Sequence, residues 1–279
     1  MVSYSKDMAL ARRFAELERQ TRQAWADLDR PALAAAAVYD LRLGLRISRI
    51  LRYFLRKDAG FAAASAVLDR CYRATSLVRD RQVGVDLIRE LEQGWPRNRR
   101  RPSTALAHAL TRSYPALGRE VEAFGLASAL DAMRASLLIL ERRHEPERLR
   151  RRTQRHAEAL DAAMCVALRR AMKRRRARDW HALRLAIKRY RFWVLTLEDA
   201  LPPLHGETAR RLKPLQVALG DEHDLEVLSG WLDQIADAPL DRWRVVLGER
   251  KAAARERANA ALAPLLQRAD AGFHSDGIS

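Results

Sequence analysis

Apolar residues recur along most of this chain at intervals of three and four, the period of an amphipathic helix, and prolines, glycines and short polar clusters cut the pattern into segments. From Ser5 to about Asp29, Met8, Phe14, Leu17 and Trp25 fall on one side of a predicted helix. Asp29 followed by Pro31 has the form of a cap with proline in a first turn, and opens a second helix to about Lys57, ended by Asp58 and Gly60. A third runs from Phe61 to about Gln93. GWPRNRRRPST has no period and reads as a loop; Ser103 or Thr104 is expected to cap the next helix, which breaks near Pro115 and resumes through about Arg143. Pro146 marks a second beginning: a basic helix to about Arg178, another from Asp179 to about Ala200, one over RRLKPLQVALGDEHDLEVLSGWL, and a last one from Pro239 to about Arg268, with a loose tail after about residue 270.

The pattern repeats. VYDLRLGLRISRILR from Val38 matches WHALRLAIKRYRFW from Trp180, with Tyr39 opposite His181, Arg42 opposite Arg184, Arg46 opposite Lys188 and Arg49 opposite Arg191. A second landmark follows in each half, where Arg79, Asp80 and Val83 match His223, Asp224 and Val227, at an offset of about 142 to 144 residues. The expectation is an all-α protein made of a duplicated helical bundle, with about four helices in each half, residues 1–144 and 145–279; if the halves pack about a pseudo-twofold axis, their basic faces would line a shared groove or channel.

Each repeat carries a cationic stripe. With Arg42 as zero, Arg46, Arg49, Arg52 and Arg56 fall at roughly 40°, 340°, 280° and 320° on a helical wheel, and Leu43, Ile47, Ile50, Leu51 and Phe54 between roughly 80° and 180°. In the second repeat His181, Arg184, Lys188 and Arg191 share one arc, and Leu183, Ile187, Tyr190 and Val194 another that faces a core. No acid lies between Asp40 and Asp58, so the first stripe would repel itself in water unless an anion neutralised it. Phosphate suits an arginine fork, whose planar donors match its oxygens. Arg12, Arg19, Arg152, Arg155, Arg211 and Lys213 could extend such a face. A stripe alone is also compatible with a solvated surface; the repetition is what favours a ligand.

Composition sharpens this. The chain has 279 residues, a net charge of +17, and 46 arginines among its 52 cations. High-GC coding accounts for part of the arginine excess but not for the net charge, so a polyanionic partner is expected. Cys71 and Cys165 read as small buried hydrophobes. No apolar run approaches the roughly 18 residues of a membrane span, and the N-terminus lacks a signal-peptide core, so a cytoplasmic protein without membrane contact is expected. His181 reads as a phosphate contact or a packed core residue; with cations around it and no carboxylate on its face, no metal is expected. His223-Asp224 has the form of the HD pair of metal-dependent phosphohydrolases, but arginine stands at the matching position, and Asp80 and Asp224 read as structural.

Taken together, these stretches resemble the CHAD domain, the conserved histidine α-helical domain. HALRLAIKRYR and YDLRLGLRISR approximate its two signature stretches, and LVRDRQV and LKPLQVALGDEHDLEVL its later elements, over about residues 5 to 270. Tyr39 stands where the family usually has histidine, and Ile47 where a second arginine is common. The resemblance implies two four-helix bundles around a pseudo-twofold basic groove or pore that holds inorganic polyphosphate, often with targeting to polyphosphate granules, and the leading expectation is a non-enzymatic binder without cofactors. The absence of an ExExK strand motif suggests a stand-alone member. Two other readings use the same residues: an RNA or single-stranded DNA binder, which needs aromatic platforms beside the basic face, whereas Trp and Tyr mostly fall where the core is expected, and an all-helical metal-dependent phosphohydrolase.

Overall fold

The computed structural model describes residues 10–93, 101–232 and 240–272, with side chains described outside 101–106, 232–243 and 263–272. Among them are ten α-helices and no strand: α1 (Leu10–Ala26), α2 (Ala34–Leu51), α3 (Ala62–Leu91), α4 (Arg101–Ala123), α5 (Leu126–Arg143), α6 (Pro146–Arg174), α7 (Ala177–Thr196), α8 (Pro203–Arg211), α9 (Lys213–Leu232) and α10 (Leu240–Gly272). Met8, the stretch 94–100 and the tail from 273 lie outside the described residues.

Two compact units divide the chain: Met1–His156 with Thr196–Pro202, and Ala157–Leu195 with Pro203–Ser279. In the first, α2 packs on α1 and α3, and α5 on α1 and α3. Phe14, Leu41, Leu45, Leu68, Ile88, Leu130 and Met133 are fully buried between them. Closeness at the α1–α2 crossing depends on Gly44: a Cβ there would lie 2.0 Å from Thr21 Oγ1. Glu18, buried on α1, pairs with Arg22 at 2.8 Å and with Arg134 of α5 at 3.6 Å. Glu141 Oε1 accepts from the Ala11 amide at 2.9 Å, capping the start of α1. Arg13 donates to the Thr196 carbonyl at 3.1 Å and pairs with Asp199, which fastens that returning segment.

In the second unit α9 packs on α8 and α10. Leu183, Ile187, Tyr190 and Val194, the arc expected to face a core, are each at most 1% exposed. Tyr190 Oη lies 3.0 Å from His205 Nδ1, which satisfies its polar end inside the core.

Several boundaries differ from the sequence expectation. α2 begins after Leu33, with no side-chain cap, so Asp29 does not cap it. It ends at Leu51, and Arg52–Leu55 tighten into a 3-10 turn, so the helix does not continue to Lys57. Asp58 caps the next turn instead, accepting from the Gly60 amide at 3.0 Å. Ser103 and Thr104 lie inside α4. Pro115 is carried within α4, and the break comes at Gly125, whose φ of 83° is the left-handed conformation that glycine adopts without steric cost. α4 and α5 meet there at 53°. α6 stops at Arg174, before Arg178, where Arg175 takes a left-handed φ of 50° and its amide bonds the Ala171 carbonyl. The helix expected over RRLKPLQVALG divides at Leu212 into α8 and α9, and α10 runs past Pro264 to Gly272. Cys71 is buried, whereas Cys165 is half-buried.

Candidate functional site

On α2 the buried positions are Ala34, Ala37, Val38, Leu41, Gly44, Leu45, Ser48 and Leu51, while Leu43, Ile47 and Ile50 are half-buried. The buried face is therefore turned from the predicted one toward the cations, because α1 settles against the small Gly44. Arg42, Arg46, Arg49 and Arg52 are half-buried in consequence, and α3 supplies what they touch. Arg42 Nη1 donates to Ser76 Oγ at 2.6 Å and to Thr75 Oγ1 at 3.3 Å. The guanidinium groups of Arg42 and Arg49 lie 4.5 and 4.4 Å from the centre of the Tyr72 ring. Arg49 pairs with Asp69 Oδ1 at 2.9 Å, and Arg52 donates to Asp69 Oδ2 at 2.5 Å and to Ser65 Oγ at 3.1 Å. Burial pushes the Tyr72 phenol up, but Arg42, Arg46 and Arg49 together bring it below its ordinary value. Burial pulls the Arg42 guanidinium down, and Asp80 opposes that shift.

The missing acid of the first stripe is thus Asp69, which no pattern within α2 could announce. Tyrosine was missed as well. Tyr72 and Tyr53 sit among the arginines, not in the core, and Tyr39 is 53% exposed. Tyr53 stacks on His156 at 4.1 Å, with Arg56 and Arg152 at 4.7 and 5.1 Å from its ring. Arg152 donates to the carbonyls of Tyr53 and Phe54 at 3.0 and 3.3 Å, which fixes its position. Arg155, one turn on, is exposed. Arg12 is exposed on α1, and Arg19 is held in a local pair with Glu16 at 2.6 Å.

The arc on α7 is divided by depth. His181 is exposed, Arg184 and Lys188 are half-buried, and Arg191 is only 9% exposed. Arg191 Nε donates to the Ala209 carbonyl and Nη1 to Gln216 Oε1, both at 2.6 Å, so this cation ties α7 to α8 and α9 within the core. His223 of α9 comes to the other three: its ring lies 5.4 Å from that of His181. Burial, then Arg184, His181 and Lys188, push the His223 imidazole down to about 4. A cavity of about 380 Å³ opens here. Glu222 and Glu226 on its edge are paired with Arg255 and Lys251 of α10, leaving the histidines and α7 cations in net excess. Arg211 and Lys213 are exposed on either side of Leu212.

Two pairs of positions matched in the sequence repeat come together in both units, through different kinds of contact. The Arg79 guanidinium lies 5.7 Å from the Tyr39 ring centre, as His223 meets His181. Arg49 meets Tyr72 as Arg191 meets Gln216. Among the described residues no group of three or more histidines, cysteines and carboxylates gathers as a metal set. No single described helix is long and apolar enough to cross a membrane.

The family model for the CHAD domain matches residues 8–233. The crystal structure of the CHAD domain from the plant Ricinus communis is similar to this chain with a TM-score of 0.67 and 16% sequence identity, over 97% of this chain and 93% of that chain. No curated protein matches the sequence.

Proposed function

The chain belongs to the CHAD-domain family, which is associated with polyphosphate binding, and from that membership we propose that it binds inorganic polyphosphate through the cationic faces of α2 and α7. The observation that carries the reading is the set of cations itself: Arg42, Arg46, Arg49 and Arg52 on α2, braced by α3, and Arg184 and Lys188 on α7, each half-buried. A half-buried cation has lost part of its hydration, and an anion that replaces it gains more than at an open surface. Preorganisation by Tyr72, Ser76 and Asp69 lowers the ordering cost of binding. The repeated contacts of Tyr39 with Arg79 and of His181 with His223 support a duplicated unit with two such faces.

Exposed residues contribute at longer range. Arg12, Arg155, Arg211 and Lys213 raise the local potential, whereas Arg19 is offset by Glu16 and Arg191 holds the core. The protein acts by binding, without turnover, as a cytoplasmic component of polyphosphate granules. Affinity falls steeply with salt, because each neutralised phosphate releases counterions.

Nucleic acid is the competing ligand. Tyr39 is exposed, but both tyrosines within the arginine clusters already have guanidinium groups against their rings. A competition assay decides between the two: at matched salt, polyphosphate displaces single-stranded DNA and tRNA at equal phosphate concentration. Preference for nucleic acid would overturn the proposal.

A further inference from the structure

A second concentration of positive charge lies in the first unit, away from the contacts that α2 makes with α3. The 3-10 turn over Arg52–Leu55 rotates Arg56 by roughly 80° from where a continuing α-helix would carry it. Arg56 and Lys57 instead line a cavity of about 520 Å³, which Arg143, Arg148 and Arg152 also line. One carboxylate, Asp58, shares the lining, and its Oδ1 is occupied by the Gly60 amide. Arg56, Lys57, Arg143 and Arg148 make no ion pair with any described residue, whereas Arg49 and Arg52 share Asp69. The floor is apolar and well packed, since Phe54, Leu55 and Leu149 are each at most 3% exposed.

An independent observation points the same way. His144, in extended conformation where α5 ends, lines this cavity, and its Nδ1 is buried without a hydrogen-bond partner among the described residues. Buried polar atoms are nearly always satisfied, so this orphan, in a residue that lines the cavity, is a polar group that a turn of the ring would offer to a ligand atom. Five cations against one carboxylate exceed what a single phosphate would balance, and the volume is that of a small-molecule site.

We propose that this cavity is a binding site for a compact polyanion, a run of about three linked phosphates, gripped by Arg56, Lys57, Arg143 and Arg148, with the His144 ring turning to bond one of its oxygens. Arg152, fixed by the carbonyls of Tyr53 and Phe54, forms the inner wall. Inorganic tripolyphosphate and a nucleoside triphosphate both present this chemistry, and Ile139, 45% exposed on the lining, offers an apolar surface to the organic part of the second.

Calorimetric titration of the full chain with tripolyphosphate, with ATP and with long-chain polyphosphate tests the site independently of the α2 and α7 faces. Arg143→Ser with Arg148→Ser changes two exposed residues, so the melting temperature stays that of the parent. The double variant is expected to lose about 10-fold or more in affinity for tripolyphosphate. His144→Leu weakens the same titration, and Arg184→Glu with Lys188→Glu leaves it unchanged. If ATP binds more tightly than tripolyphosphate, the organic part contacts the apolar lining at Ile139; if more weakly, the inorganic chain is the occupant, and either result keeps the site. No binding of either short anion, or equal affinity in the Arg143→Ser, Arg148→Ser variant, overturns the proposal. Failure of long polyphosphate to bind would overturn the α2 and α7 reading while leaving the short-anion result standing.

Discussion

Arg49 and Arg191 occupy matching places in the sequence repeat, yet the fold uses them differently. Arg49 is half-buried, lies against Tyr72 and shares Asp69 with Arg52. Arg191 is sunk in the core and bonds a backbone carbonyl and Gln216. The difference extends along both faces. On α2 the charge is spread over four arginines braced by α3, and arginine keeps its charge at any accessible pH. On α7 the exposed end is His181, which meets His223, whose imidazole burial and the neighbouring cations push down to about 4. A cationic stripe read from spacing is therefore two things at once: half-buried cations braced by a neighbouring helix, and ties that hold the helix carrying them.

The largest effect should come from the two matched arginines. Arg191→Leu leaves the Ala209 carbonyl and Gln216 without their charged partner and is expected to cost about 2–4 kcal/mol in chemical denaturation. Arg49→Leu, on a partly solvated face, should cost about 1 kcal/mol or less and instead weaken polyphosphate binding. Equal destabilisation by the two would erase the distinction drawn between them.

Asp69 offers a smaller and opposite handle. Asp69→Asn removes the one carboxylate that Arg49 and Arg52 share, so fluorescence titration should show polyphosphate affinity rising about threefold, with stability lower by about 1 kcal/mol. Weaker binding would mean that the pair's rigidity matters more than its charge.

The third handle is pH. His223 titrates at about 4 in the folded protein against an ordinary 6.5, so the unfolded chain holds the extra proton first. Its contribution to stability is full above about pH 6.5 and declines as pH falls toward 4. A polyanion beside His223 favours the charged form, so binding takes up protons and tightens modestly over the same fall in pH. NMR titration of the His223 ring should give a midpoint near 4 alone and a higher one with polyphosphate. An unmoved midpoint would place the ligand away from this pair.

Much of this was legible in the sequence because helical periodicity is local. The arc of Leu183, Ile187, Tyr190 and Val194 needed only spacing, and its burial followed. The stripes were legible for the same reason. What they face was not: Asp69 and Tyr72 reach α2 through the packing of α3, about twenty residues on, and nothing in α2 encodes that. The depth of Arg191 depends on where α8 gives way to α9 at Leu212, a break that the sequence reading passed over. Gly44 could have warned that the buried face of α2 was turned, since a glycine amid large apolar residues often marks a close helix crossing. His144 and the cavity beside it had no signal, because its lining comes from three separate stretches of chain.

The central claim is that the α2 and α7 cations hold polyphosphate. The most direct test is titration of defined-length polyphosphate into Arg184→Glu with Lys188→Glu, two half-buried cations whose described surroundings include His223. With helical content unchanged by circular dichroism, affinity should fall by about 100-fold or more, as two contacts turn from attractive to repulsive. Affinity equal to that of the parent chain would show that polyphosphate, if it binds at all, binds elsewhere.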